Sequence, residues 1–289
     1  MSIDILHEKI RKLKTPLIVD FGMKPSGIPG FILDEEGSAL KAYSRFCREL
    51  LEALKGQVPG VRFSFGTFGL YGSEGLEELK KLLQLAGQSG FYVILDSPEI
   101  LSPWGADIIA ETIFEGYPCD ALVISPYIGS DAIKPFVPCC KNDKKDLFVI
   151  LRSPNKTAAE LQDLLTGTRH VYDAAADLVK RYGEPIFGKC GYSRISALVS
   201  AGSPDGIRNI RAKYPHFFLL VDGLDYPSGN AKNCSYAFDR FGYGAVVCAG
   251  PAVTAAWKED DADQHEFAML AVQAVDRIKK NLTRYVTIL

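Results

Sequence analysis

The sequence lacks the features that mark several large classes of protein. Its 289 residues carry a formal net charge of −2 and no basic run, so the electrostatic signature of a nucleic-acid-binding protein is missing. No apolar run approaches the roughly 18 residues that a membrane span needs. The opening residues, MSIDILHEKIRKL, carry charges throughout, which is not the pattern of a signal peptide. We therefore expect a cytoplasmic protein that contacts neither nucleic acid nor membrane.

Metal-binding patterns are also missing. The seven cysteines form no CxxC pair, and the four histidines form neither HxH nor HExxH, although such spacings are typical of metal sites. An odd number of scattered cysteines favours reduced thiols in a cytoplasm. The sequence therefore predicts no metal ion.

Two apolar runs that end at polar residues stand out in the middle of the chain. Residues 92–95 stop at Asp96, and residues 122–125 stop before PYIGSD at 126–131. A continuous apolar strand with polar residues at its carboxyl end is typical of a parallel sheet covered on both faces. Active sites of barrel folds lie at those carboxyl ends. Asp96 is therefore the first candidate for a functional side chain.

The same kind of run recurs along the whole chain, separated by helical patterns that begin with a short amphipathic helix at about residues 2–14. Eight such strands alternating with helices predict an α/β fold, a (β/α)8 TIM barrel that forms a single domain over residues 1–289. An open doubly wound sheet is the alternative, against which stand the number of strands and the absence of an opening GxGxxG. The predicted strands are residues 17–19, 61–65, 92–95, 122–125, 147–151, 195–199, 217–221 and 244–248.

Local signals set several helix boundaries. Thr157 and Glu160 have the spacing of a capping box before an apolar-periodic stretch, which predicts a helix there. Ser203-Pro204-Asp205 combines an N-cap residue, a proline at the first helical position and an acid in the first turn. Residues 263–283 carry one apolar stripe at helical spacing and predict the last helix.

Several stretches, taken together, resemble one known family. They are FYVILDS (91–97), the Ala110-Glu111-Thr112 helix, ISPYIGSDAIKPF (124–136), FVILRSPNKTAAELQDL (148–164), and GYGAVV with AGPAVTAA within 242–256. In this order they are similar to the longer bacterial subfamily of orotidine 5′-monophosphate decarboxylases, over roughly residues 17–257. The resemblance implies a (β/α)8 barrel, conversion of OMP to UMP in pyrimidine biosynthesis, no cofactor, and a homodimer with the barrel mouths at its interface.

The catalytic motif of that family is altered here. The family decarboxylates with alternating lysines and aspartates at the ends of its second and third strands, where a cation stabilises a carbanion-like centre. Its third-strand motif is Asp-x-Lys-x-x-Asp; this chain keeps Asp96 but has Pro98 and Leu101 at the other two positions. The second-strand lysine aligns with Arg62, which keeps the charge but stays protonated. The resemblance thus leaves Asp96 and Arg62 as the catalytic candidates.

The positions that hold the ligand in the family are altered as well. The aspartate that ends the family's first strand aligns with Gly22, so Asp20, two positions earlier and on the same side of the strand, is its approximate substitute. The family's phosphate arginine is missing, although backbone amides after the seventh and eighth strands could still cradle an anion. The candidate ligand-binding residues are Asp20, Ser153, Asn155, Ser228, Gly229 and Gly250.

Each candidate also has a purely structural interpretation. Asp96 would then be a helix N-cap or an ion-pair partner of Arg62, and Ser153 with Asn155 would only close a turn. Ser228 and Gly229 would belong to an ordinary loop. We expect Tyr127 to pack rather than to take part in chemistry.

Three functions remain open. The first is a decarboxylase-like barrel that is catalytically impaired or repurposed and keeps a pocket for a small molecule such as a pyrimidine nucleotide. The second is a working decarboxylase whose lysine has moved, with Lys24, Lys134 and Lys189 as nominal candidates. The third is a non-catalytic nucleotide- or phosphate-binding protein, or another lyase that uses a Schiff-base lysine, since the same fold hosts many chemistries.

Overall fold

A computed structural model describes residues 3–23, 27–259 and 263–289. Within these ranges, eight parallel strands form a closed barrel. The circle closes where the first barrel strand pairs with the last, for example Leu17 opposite Val247, so the predicted (β/α)8 barrel is confirmed and the open sheet is wrong. The barrel strands are β1 (Leu17–Asp20), β2 (Gly60–Ser64), β3 (Tyr92–Asp96), β4 (Ala121–Ile124), β5 (Asp146–Ile150), β8 (Ile195–Ser200), β9 (Leu219–Asp222) and β10 (Ala245–Ala249).

Helices surround the barrel. Each predicted barrel strand is found within two residues of its expected bounds, and the last predicted helix begins four residues later than expected, after a short 3₁₀ turn. The α-helices are α1 (Ile3–Leu13), α2 (Gly30–Glu36), α3 (Ala39–Leu54), α4 (Phe65–Gly69), α5 (Gly72–Gln88), α6 (Pro103–Gly116), α7 (Val137–Asn142), α8 (Val171–Gly183), α9 (Pro204–Lys213), α10 (Ala231–Ser235), α11 (Pro251–Thr254) and α12 (Phe267–Leu282). None of the helices in the described ranges combines the length and apolar character needed to cross a membrane.

The strands divide the core into two layers because successive side chains point to opposite faces. One set packs outward against the helices. The other set fills the barrel interior and includes Ile18, Ile94 and Phe148. Ile3, Leu6 and Ile10 of α1 belong to the same interior cluster, so α1 covers the amino-terminal end of the barrel and leaves the carboxyl end as the open mouth.

The helix predicted from Thr157 and Glu160 is wrong. Residues Lys156–Glu160 form only a 3₁₀ turn, which a two-stranded hairpin follows, β6 (Leu165–Thr166) with β7 (Arg169–His170). The apolar residues of this stretch are largely exposed, with Leu161 at 45%, so no core face stabilises a helix. The capping box lies later, where the His170 side chain and Asp173 cap the start of α8.

Candidate functional site

Arg62 lies at the centre of the barrel mouth. It projects from β2, opposite Asp20 of β1, and its side chain is only 8% exposed. Its guanidinium binds Asp96 of β3 through two bonds, Nε to Oδ1 at 2.7 Å and Nη2 to Oδ2 at 3.0 Å. Nη1 donates to Asp222 Oδ2 of β9 at 2.8 Å and lies 3.6 Å from Asp20 Oδ2. One cation therefore joins the ends of four strands.

The charges around this cation do not balance. Asp20, Asp96 and Asp222 face a single guanidinium, and all three are partly withdrawn from solvent. Burial, together with the charges of Asp96 and Asp222, raises the pKa of Asp20 to about 7 in spite of Arg62. Burial also raises the pKa of Asp96. For Arg62, burial opposes the charged form, but the three carboxylates hold its pKa well above the ordinary value. The guanidinium therefore stays charged and cannot exchange a proton with a ligand.

Arg62 separates two cavities. The first, of about 540 Å³, lies towards β1, β9 and β10 and is lined by Asp20, Asp222, Asp225 and Cys248 among others. The second, of about 580 Å³, lies towards β2, β3 and β4. Arg62 lines both, and its ion pair with Asp96 stands between them. The mouth therefore has room for small molecules on either side of a fixed salt-bridge cluster.

Asp96 is an ion-pair partner and not a helix cap. Helix α6 begins at Pro103, and its cap is Ser102, whose hydroxyl accepts a hydrogen bond from the Gly105 N–H at 3.0 Å. Pro98 lines the second cavity, where it offers neither a proton nor a charge. Leu101 is 75% exposed on the rim of the mouth.

The loop after β5 does not bring its predicted residues into either cavity. The Ser153 hydroxyl donates to Asn155 Oδ1 at 2.7 Å, and the Ser153 N–H donates to Gln162 Oε1 at 2.9 Å. The Asn155 amide donates to the Thr157 hydroxyl at 3.0 Å. These side chains therefore hold the turn together, and it is Pro154, between them, that lines the first cavity.

The predicted anion cradle is likewise engaged within the chain. The Gly229 N–H donates to the Tyr226 carbonyl at 2.8 Å, and neither Ser228 nor Gly229 lines the described cavities. Gly250 does line the first cavity, but its N–H donates to Asp225 Oδ2 at 2.5 Å. Tyr127, expected to pack, is instead 79% exposed.

The two replacement candidates that the structure describes, Lys134 and Lys189, do not line the mouth cavities. Lys134 and Lys189 are both exposed, and no lysine lines either mouth cavity within the described ranges. Lys189 precedes Cys190, whose N–H donates to Asp4 of α1, so it lies at the closed end of the barrel. Lys24 lies outside the described residues.

Sequence inspection missed Asp222, Asp225 and Cys248. Asp222 ends β9 in the same way that Asp96 ends β3, and this acid after an apolar run was the signal that could have found it. The ligand atoms of Asp20, Asp222 and Cys248 lie within 4.8 Å of one another, a spacing that suits a metal ion. Arg62 Nη1 lies 4.0 Å from Cys248 Sγ and contacts both acids, so a guanidinium already holds the place of a cation.

Comparison with known proteins assigns the family. No protein-family model matches the chain. The orotidine 5′-phosphate decarboxylase of Caldicellulosiruptor bescii is 30% identical over 273 residues, which cover 88% of this chain and 90% of the relative. That of Clostridium novyi is 27% identical over 286 residues, covering 98% of this chain and 99% of the relative.

Solved structures share the fold. An orotidine 5′-monophosphate decarboxylase structure from Plasmodium berghei has a TM-score of 0.77 at 16% identity, covering 97% of this chain and 99% of that chain. The OMP decarboxylase structure from Leishmania donovani has a TM-score of 0.71 at 22% identity, covering 97% and 100%. At these identities the structures establish the barrel alone, and it is the sequence relatives that decide the family. The chain belongs to the orotidine 5′-phosphate decarboxylase family.

Proposed function

We propose that this chain is a family barrel that has lost decarboxylation and binds a small molecule at its mouth. One observation carries the proposal: Arg62, the one cation that lines the mouth cavities among the described residues, is already paired with Asp96 and Asp222 at 2.7 to 3.0 Å. The two carboxylates offset the positive charge of Arg62, so it would stabilise a developing carbanion less than an unpaired cation would. Asp96 and Arg62 then act as structural partners and not as catalytic residues.

Neither residue at the family's two lysine positions can deliver the proton that decarboxylation requires. The reaction replaces a carboxylate on a ring carbon with hydrogen, so a group must deliver a proton to that carbon. Arg62 does not release one at neutral pH, and Pro98 stands where the family has its lysine. Removing one preorganised group that stabilises a transition state typically costs about 100- to 1,000-fold in rate, and here more than one such group is absent.

Electrostatics also disfavours the family's substrate. Orotidine 5′-monophosphate carries a phosphate and a carboxylate, whereas the described residues of the mouth present Asp20, Asp96, Asp222 and Asp225 against one cation, Arg62. Like charges at close range in a partly buried site repel strongly. The mouth therefore suits a ligand with less negative charge than this nucleotide.

We expect the purified 289-residue protein to release no CO2 from orotidine 5′-monophosphate above the uncatalysed background. Release of CO2 from carboxyl-labelled substrate and the change in ultraviolet absorbance of the base give two independent measurements. A catalytically active family member, assayed at equal concentration, serves as the positive control. Turnover within about a hundredfold of that enzyme, roughly 3 kcal/mol in activation free energy, would contradict the proposal and favour a relocated lysine.

We also propose that the chain forms a homodimer through the rim of its mouth and works in the cytoplasm. Four large apolar side chains on segments that follow β2, β3 and β4 at this end of the barrel are mostly exposed: Leu70, Leu101, Trp104 and Tyr127. Large exposed apolar side chains on neighbouring loops favour a protein–protein contact. Seven cysteines that are all free suit a reducing compartment.

A further inference from the structure

In (β/α)8 barrels, the loops after the seventh and eighth strands frequently form a phosphate site, and backbone N–H groups are the usual donors in such anion sites. In this chain those strands are β9 and β10. Their loops line the cavity of about 540 Å³ with Gly223, Asp225, Gly250 and Pro251. Whether a phosphate finds donors there depends on what these N–H groups already bind.

An internal carboxylate takes the two donors of the β10 loop. The Gly250 N–H donates to Asp225 Oδ2 at 2.5 Å, and the Ala252 N–H donates to the same oxygen at 3.2 Å. The other oxygen, Asp225 Oδ1, is buried and accepts no hydrogen bond from any described residue. The side chain thus holds the position that an oxygen of an anionic ligand would take.

The β9 loop offers no compensating donors from its two glycines. The Gly223 N–H donates to Asp222 Oδ1 at 2.7 Å, and the Gly229 N–H donates to the Tyr226 carbonyl at 2.8 Å. A Cβ atom on Gly229 would lie 2.0 Å from the Gly223 carbonyl oxygen. This loop is therefore folded tightly onto itself, with its glycine amides turned to internal acceptors.

We propose that Asp225 is a specificity-determining residue that fills the anion position of this cavity, so that the cavity takes unphosphorylated small molecules and rejects phosphate esters. The inference rests on the proposed function, because a barrel that decarboxylated orotidine 5′-monophosphate would have to bind a phosphate ester. It adds to that function the chemical class of the ligand.

The negative charge of the residues that line the cavity also disfavours a phosphate, in addition to the position that Asp225 already fills. Asp20 and Asp222 line the cavity beside Asp225, and Arg62, the one cation among the lining residues that the structure describes, is already paired. A phosphate that entered would face three carboxylates at short range. The acidic side chains that line the cavity instead favour a neutral or cationic ligand.

Thermal unfolding of the 289-residue protein tests the proposal with inorganic phosphate and uridine 5′-monophosphate as probes, against sodium chloride at equal ionic strength. We expect neither probe to raise the Tm of the wild-type protein. In Asp225→Ala the two N–H groups lose their acceptor, so both probes should raise the Tm by about 2 °C or more at a hundredfold excess over Kd. Asp225→Ser, whose side chain is too short to bond both amides, takes its place if the alanine variant does not fold.

Two further variants distinguish loss of the carboxylate that occupies the two N–H groups from a general loss of negative charge. Asp225→Asn keeps an oxygen acceptor on the amides and should stay unresponsive, and a gain equal to that of Asp225→Ala would overturn the filled-site proposal. Asp205→Asn removes an exposed carboxylate on α9 and controls for net charge.

A folded Asp225→Ala protein whose Tm does not respond to either probe would also overturn the proposal. Stabilisation of an inactive wild-type protein by uridine 5′-monophosphate would overturn this inference alone, whereas turnover of orotidine 5′-monophosphate would contradict the proposed function as well.

Discussion

At the scale of single residues, the mouth is defined by an excess of carboxylates around one guanidinium. Taking ionised side chains out of water is costly unless each charge is well paired. Asp96 receives two hydrogen bonds from Arg62, whereas Asp20 lies 3.6 Å from the nearest guanidinium nitrogen. Asp20 is thus the weakly paired member of the cluster, and burial raises its pKa to about 7.

This pKa predicts a pH-dependent effect of Asp20→Asn. The folded carboxyl titrates near pH 7 and the unfolded one near its ordinary value of 3.8, so between these values the folded state binds more protons than the unfolded state. The contribution of Asp20 to stability is therefore complete below about pH 4 and is lost as the pH rises to about 7. Asparagine resembles the neutral acid and does not titrate, so the variant should gain stability relative to wild type by ~1–4 kcal/mol across this interval.

Tm measured for both proteins from pH 4.5 to pH 8 checks the effect. Asp146, whose pKa burial also raises to about 7, is present in both proteins and cancels in the difference. A Tm difference that stays constant with pH would show that Asp20 does not titrate in this interval.

At the scale of elements, the two ends of the barrel are built differently. Helix α1 closes the amino-terminal end with Leu6, which is fully buried in the interior cluster. At the open end, the stretch after β5 forms a 3₁₀ turn and a short hairpin with exposed leucines. We therefore infer that the closed end contributes more to the stability of the barrel. Side chains at the open end can change with little cost in stability.

A pair of leucine truncations tests this division. Leu6→Ala removes a buried side chain and leaves a cavity, and we expect it to lower the free energy of unfolding by ~2–5 kcal/mol. Leu161→Ala removes the same atoms from an exposed site and should cost less than about 0.5 kcal/mol. Denaturant unfolding of both variants gives the comparison. Equal losses would mean that α1 is not an integral part of the core.

At the scale of the whole molecule, the apolar rim of the mouth predicts self-association. Light scattering after size-exclusion chromatography should give about twice the chain mass of 31.7 kDa. Trp104→Asp places a charge on a rim residue that is 75% exposed, so a dimer formed there should dissociate. Met269→Asp, on the exposed side of α12, is the matched control and should remain dimeric. A wild-type protein that runs at the monomer mass would contradict the proposed dimer.

The sequence by itself determined the barrel and the family. Short apolar runs separated by helical patterns leave a chain few ways to bury its strands, and eight such runs close on themselves. The predicted strands agree with the observed ones because each run is buried on both faces, so that its composition carries the signal. The helix predicted from Thr157 and Glu160 failed because its spacing was right but no core face received its apolar side chains.

The tertiary structure alone decided the state of the mouth. Asp20, Arg62, Asp96 and Asp222 come from four strands, and their pairing follows from the circular strand order, which no local pattern encodes. The same holds for Asp225, whose acceptor role depends on N–H groups of Gly250 and Ala252 some 25 residues away. Composition and spacing report what each segment buries along its own length. The pairing of the charged side chains is set only when the closed barrel brings the strand ends together.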